Sequence, residues 1–203
     1  MKHFFTRTLT GVVVLGILLL LGPSPGYAIP FTFNATLNGA SENPSNSSLG
    51  TGVALARLDP TAHTLSLVVI YSGLGANTTA ALIHCCVPPS ANGPVATAVP
   101  APPGVPLFPL GTTSGVYFHL FNTMFDPIFN PTFITTNGGT PAGAEAALLA
   151  GLLGGQAYFN IHTTLFPGGE IRGTFAQVPE SSTLLLLGLG LVGLATWRWK
   201  HAA

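Results

Sequence analysis

The sequence predicts a mainly β protein, an antiparallel sandwich or barrel with one short helix and a hydrophobic targeting segment at each end. The 203-residue chain contains 25 Gly and 18 Pro, which disfavours long helices. Apolar residues make up 47% of the chain, which is enough to form a core. Several short segments alternate apolar and polar residues, with turn residues between them. This pattern is typical of antiparallel sheets.

Charge is scarce and excludes one class of partner. Only 6% of the residues are charged, against roughly 25% in an average soluble domain. Residues 29–178 carry two positive and five negative side chains, a net charge of −3: Arg57 and Arg172 against Glu42, Asp59, Asp126, Glu145 and Glu170. No basic patch could neutralise several phosphates, so we expect no nucleic-acid partner.

Residues 1–28 have the form of a signal peptide. Lys2 and Arg7 supply the positive start, residues 11–22 are apolar, and Gly26 and Ala28 place small residues before a cleavage site. The alternative is an uncleaved membrane anchor. The apolar stretch is shorter than the ~20 residues that a spanning helix needs, so we expect cleavage and export.

The middle of the chain reads as seven strands and one helix. Loops rich in Gly, Pro, Ser or Asn are expected at 39–50, 87–111 and 124–139. The helix is expected at 142–153, because Thr140 and Pro141 suit its first positions and Gly154 suits its end. The predicted strands are 31–37, 52–59, 64–74, 79–84, 115–122, 156–163 and 170–177.

The C-terminal segment, residues 178–203, has three parts in a fixed order. Val178, Pro179 and Glu180 precede an apolar run over residues 184–197, and a basic tail follows. This order resembles the PEP-CTERM sorting signal, although Ser181 stands where that motif usually has a second proline. The resemblance implies export, cleavage by an exosortase-type membrane transpeptidase, and display at the outer surface or release into the extracellular matrix. The alternative is a permanent C-terminal anchor.

Residues 29–177 form the predicted domain, and three blocks in it carry a second resemblance. The blocks are residues 37–44 before Gly50 and Gly52, residues 80–84 before residues 91–95, and residues 157–163 followed by 167–173. Together they resemble the CHRD domain, the module named from chordin. The resemblance implies a β-sandwich and no general enzymatic activity. The family usually has Ala-His-Ile-His in its second block, and Leu82 replaces the first of those histidines here.

The third block places polar side chains together. Strand alternation puts Tyr158, Asn160 and His162 on one face, and a register with His162 opposite Glu170 would put Asn160 opposite Arg172. We interpret Arg172 and Glu170 as ties that hold the hairpin, with Asn160 and His162 bonded to nearby backbone. The candidate binding residues are therefore His84, Asn160, His162, Glu170 and Arg172.

A metal site is the alternative use of these residues. His84, His119 and His162 each lie on a predicted strand and could hold copper or zinc. Cys85 and Cys86 could join them as thiolate ligands, form a disulfide with each other, or form intermolecular bridges. Outside this alternative we expect no cofactor.

The sequence therefore predicts an exported protein rather than an enzyme. Residues 29–178 contain neither a Gly-x-Ser-x-Gly elbow nor a lysine for Schiff-base or phosphate chemistry. We expect a structural or binding module that is sorted by an exosortase-type system and meets extracellular-matrix or cell-surface components. The secretion machinery would be a further partner. The alternative function is an envelope metal-binding or redox protein that uses the strand histidines.

Overall fold

The computed structural model describes residues 30–97, 107–125, 127–179, 187–194 and 197. The predicted signal peptide and most of the C-terminal targeting segment lie outside these residues. The strands are β1 Phe31–Asn38, β2 Thr51–Asp59, β3 Thr64–Ser72, β4 Thr78–Cys85, β5 Gly115–Asn122, β6 Ala157–Thr163, β7 Ile171–Thr174 and β8 Ala176–Gln177; the α-helices are α1 Pro131–Thr136 and α2 Pro141–Leu153, and a 3-10 turn spans Gly39–Ser41.

The strands form one antiparallel sheet that curls into a half-barrel, which confirms the predicted mainly β class. The strand order is β4-β6-β7-β1-β2-β3-β5, and β8 also pairs with β1. Strands β1, β2 and β3 follow one another as a meander. Because β6 and β7 lie between β4 and β1, the sequence motifs of the second and third blocks meet in adjacent strands.

The core lies on one face of the sheet and follows from the alternation seen in the sequence. On β3, Leu65, Leu67, Val69 and Tyr71 are buried at every second position. Phe159 and Ile161 do the same on β6. Helix α2 covers this face with Ala144, Leu148 and Leu152, all nearly fully buried.

Helices α1 and α2 each begin at a polar residue followed by proline. The Thr140 side chain accepts a hydrogen bond from the Gly143 N–H, and Pro141 opens α2 as expected. Helix α1 was not predicted, because residues 124–139 were expected to be a loop. Asn130 accepts from the Thr132 N–H and Pro131 follows it, so the same start signal operates there, and buried Phe133 attaches the short helix to the core.

The opposite face of β4, β6 and β7 is also covered, but most of its side chains are polar. Tyr158, Asn160 and Arg172 are each 3–4% exposed, and none of them belongs to the hydrophobic core. The cover comes from the loops after β1 and β4, which bond to these strands. This polar layer positions the candidate site.

Candidate functional site

Asn160 occupies the centre of the polar face. It pairs with Leu82 on β4 and with Arg172 on β7, so the predicted Asn160–Arg172 register is confirmed. His84 lies opposite Tyr158, and His162 lies opposite Ala80. Strand alternation therefore places His84, Asn160 and His162 on the same face of two neighbouring strands.

Arg172 fastens two loops to this face. Its Nε donates to the Ser41 carbonyl at 2.5 Å and its Nη1 to Asn92 Oδ1 at 2.9 Å, while Nη2 lies 3.4 Å from the Pro89 carbonyl. The guanidinium also stacks over the Tyr158 ring, 4.8 Å from its centroid. Arg172 thus connects the loops after β1 and β4 to β7, a wider role than the predicted tie within the hairpin.

Glu42 is a buried carboxylate in contact with Asn160. The Asn160 Nδ2 donates to both carboxylate oxygens, at 3.0 and 3.1 Å, and Arg172 Nε lies 3.9 Å from Oε2. Burial raises the pKa of Glu42 to about 7, although Arg172 and the hydrogen bond from Asn160 act in the opposite direction. The site therefore contains a group that exchanges its proton near neutral pH.

His84 and His162 use their rings in the same way. His84 Nδ1 is 2.7 Å from the Gly93 carbonyl, and His162 Nδ1 is 2.8 Å from the Pro167 carbonyl. A carbonyl only accepts, so each Nδ1 carries the hydrogen and each Nε2 carries a lone pair. Burial lowers the pKa of both histidines, which keeps the rings neutral.

Glu170 does not join the histidines. Its carboxylate, fully buried, accepts from Ser48 Oγ, Gly75 N–H and Thr163 Oγ1, each at 2.6 Å. The expected pairing with His162 is not formed, because β7 begins only at Ile171 and strand alternation does not extend back to Glu170. Glu170 instead holds the loop after β1 and the loop between β3 and β4 to the end of β6.

The other candidate metal ligands are placed elsewhere. His119 lies on β5, at the far end of the strand order, where its ring packs on Phe121. Cys85 and Cys86 form a disulfide with each other, the vicinal arrangement considered from the sequence. Across the described ranges, no group of three or more His, Cys, Asp or Glu side chains is arranged to hold a metal ion.

An open cleft lies beside the polar face. It has a volume of about 390 Å³ and is lined by residues 42–46, Asn92 and residues 165–169. Glu42 therefore lies between the polar face, where it contacts Asn160, and the cleft. Leu165, 60% exposed, lies on the hairpin side.

The chain leaves the domain beside β1. The Val178 N–H donates to the Thr32 carbonyl at 2.8 Å, directly after β8 pairs with β1. Pro179 is the last described residue of this stretch, and Glu180 lies outside. Residues 187–194 are helical. In the part of the chain that the structure covers, no helix is both long and apolar enough to cross a bilayer.

Glu42, Tyr158 and Asn92 were not among the predicted site residues. Glu42 and Tyr158 both belong to the motif blocks that resemble the CHRD family, so a signal for them was present. Asn92 lies in residues 91–95, which follow the second block, so the resemblance covered it as well; its contact with Arg172 joins the loop after β4 to β7, which no local pattern predicts.

Comparison with known families identifies two regions. The model of the CHRD domain matches residues 33–175, well over half of the chain. The PEP-CTERM protein-sorting motif matches residues 177–200, which indicates export and exosortase-type sorting to the surface or membrane. No curated protein and no solved structure matched the chain in the corresponding searches.

Proposed function

Because the chain belongs to the CHRD domain family, we propose that it is a non-enzymatic binding module displayed at the cell surface or in the extracellular matrix. The observation that carries this proposal is the order of the two regions. A sorting motif at 177–200 follows the domain at 33–175 without a linker between them. If the C-terminal motif directs export and sorting, the folded domain is the part that acts outside the cell.

The polar side chains support a binding role over a catalytic one. Arg172 is committed to Ser41, Asn92 and Pro89, and Glu170 is committed to three donors. These bonds hold loops in place rather than presenting charged groups to a substrate. The loops so held, after β1 and β4, contribute residues 42–46 and Asn92 to the walls of the cleft, and residues 165–169 line its other side. We propose that this cleft receives the matrix or surface component.

Two leucines provide a matched test. Leu165 lines the cleft and is 60% exposed, while Leu153 ends α2 and is 45% exposed. The full chain is expressed as wild type, Leu165→Asp or Leu153→Asp in a bacterium that carries an exosortase, and the fraction retained by its matrix is measured. We expect Leu165→Asp to lower retention severalfold and Leu153→Asp to leave it unchanged. Equal retention of all three proteins would contradict the role of the cleft.

A further inference from the structure

Three buried acceptor atoms on the polar face have no hydrogen-bond partner among the described residues. They are His84 Nε2, Asn160 Oδ1 and His162 Nε2. Asn160 itself is only 3% exposed. A buried polar atom without a partner destabilises the fold, because nothing replaces the water that it has lost. Three such atoms on one face of two adjacent strands suggest that something absent from the polypeptide satisfies them together.

The hydrogen bonds of the site determine whether each of these atoms carries a hydrogen or a lone pair. Gly93 and Pro167 hold the two Nδ1–H groups, so both Nε2 atoms present lone pairs. The Asn160 Nδ2 is used by Glu42, so the remaining Oδ1 also presents lone pairs. All three atoms are acceptors, and none can satisfy another. A species that satisfies all three must therefore be a cation or carry hydrogen-bond donors.

The spacing of the rings fits a single metal ion. The centroids of the His84 and His162 rings are 6.3 Å apart, with the planes tilted by 33°. A ligating imidazole nitrogen lies about 2 Å from its metal and roughly 1 Å from its own ring centre, so two rings on either side of one ion have centres about 6 Å apart. The observed separation therefore leaves room for an ion between the rings.

The number of donors selects among metals. Zinc sites with three protein ligands and a water use His, Cys or carboxylate side chains for all three, whereas this face supplies two imidazoles and only a neutral amide oxygen. Copper binds imidazole well, and its monovalent form accepts two ligands on opposite sides. We propose that His84 Nε2 and His162 Nε2 bind one Cu(I) ion, with the Asn160 amide oxygen on the same face as a third, weaker donor.

The charges around the site allow a monovalent cation. Arg172 is the nearby positive group, and it lies against Tyr158, whose ring stacks on His84. Glu42 is the nearby negative group, 3.9 Å from Arg172 and bonded to Asn160. Ionised Glu42 offsets the charge of Arg172, so the ion enters a site of roughly balanced charge. The disulfide keeps the adjacent Cys85 and Cys86 out of the donor set.

The test is anaerobic competition for Cu(I) between the full chain and the chromogenic chelator bicinchoninate. We expect one Cu(I) per chain, with His84→Gln and His162→Gln each weakening binding at least tenfold. His119→Gln is the matched control and should bind as the wild type does, because His119 lies on β5. X-ray absorption of the copper-loaded chain should show two imidazole ligands. Absence of a stoichiometric copper, or equal losses in all three variants, would overturn the proposal.

A gain-of-ligand variant covers the case in which the histidine variants do not fold. Leu82 lies on the same face as His84, directly opposite Asn160, and is 8% exposed. Leu82→His places a third imidazole beside the two others. X-ray absorption should then show three imidazole ligands, and the affinity for Cu(I) should rise at least tenfold. A variant that folds and binds copper no better than the wild type would contradict the placement of the ion.

Discussion

The side-chain amide of Asn160 donates to both carboxylate oxygens of Glu42, joining residues that are 118 positions apart in the sequence. This contact holds the loop after β1 against the centre of β6. The same contact joins the buried Glu42 carboxyl group to the polar face. The following predictions concern this carboxyl and the groups packed around it.

Replacing Glu42 with Gln should change how stability depends on pH. The pKa of Glu42 is about 7 in the folded chain, whereas an unperturbed glutamate, as in the unfolded chain, has a pKa of 4.5. Between these values the folded chain keeps a proton that the unfolded chain has released, so this group's contribution to stability falls as pH rises from 4.5 to 7. The loss is on the order of 3 kcal/mol. Urea unfolding of wild type and Glu42→Gln at pH 4.5 and 7.5 measures it.

The difference in unfolding free energy between wild type and Glu42→Gln reports the titration of Glu42 alone, because the other titrating groups are the same in both proteins. Glutamine has nearly the same shape and no proton to lose, so the variant should gain on the wild type as pH rises. A difference that stays constant across this pH range would show that Glu42 titrates normally.

His84 and His162 should stay neutral below the pH at which a free imidazole takes up its proton. Burial lowers both pKa values from 6.5. As pH falls below 6.5, unfolded imidazoles bind protons that the folded ones do not, so their contribution to stability decreases toward acid, opposite in direction to that of Glu42. NMR titration of the ring carbon-bound protons measures both values. Midpoints at or above 6.5 would contradict the buried, neutral state.

Replacing Arg172 with Lys should destabilise the domain although the charge is kept. Lysine cannot bond Ser41, Asn92 and Pro89 at once or stack flat on Tyr158. We expect a loss of about 2–3 kcal/mol in the free energy of unfolding. Arg57→Lys is the control, because Arg57 is exposed on β2 and should change stability by less than about 0.5 kcal/mol. Equal effects at the two arginines would contradict the role of Arg172 as a fastener of loops.

Gly169→Ala should disturb the Glu42–Asn160 contact directly. Gly169 has φ +127°, and an added Cβ would lie 2.6 Å from Asn160 Nδ2 and 2.8 Å from Glu42 Oε1. The cost should be about 1–3 kcal/mol from backbone strain and the displaced side chains. Gly168→Ala is the neighbouring control, since nothing lies within 4 Å of its Cβ position. Thermal unfolding of both variants compares them, and a neutral Gly169→Ala would show that the loop can move aside.

Local patterns were sufficient to predict most of the fold. The alternation on β3 and the Thr140-Pro141 start of α2 depend on neighbouring residues alone, and both were confirmed. The sequence does not predict helix α1, because a six-residue helix bears little periodicity and its Asn130-Pro131 start is equally typical of a loop. The register of β6 on β7 was predicted as far as Asn160 and Arg172.

The site was harder to predict because its defining contacts join loop residues to strand residues that are distant in the sequence. Glu42 and Asn92 reach Asn160 and Arg172 only after the sheet has brought β1, β4, β6 and β7 together. The pKa of Glu42 is raised by its burial, and no local sequence pattern predicts that burial. Glu170 was placed wrongly in relation to His162, since strand alternation was extended one residue beyond the start of β7.

The central claim, that the domain is exported and sorted by its tail, is tested most directly by the C-terminal mass of the protein. The full chain is produced in a bacterium with an exosortase and in a matched strain without it, and the chain recovered from each cell fraction is weighed by intact mass spectrometry. We predict that the exosortase strain delivers a surface or matrix form that ends near Pro179 and lacks the residues up to Ala203. A chain that retains Ala203 and stays in the cytoplasm of both strains would contradict the claim.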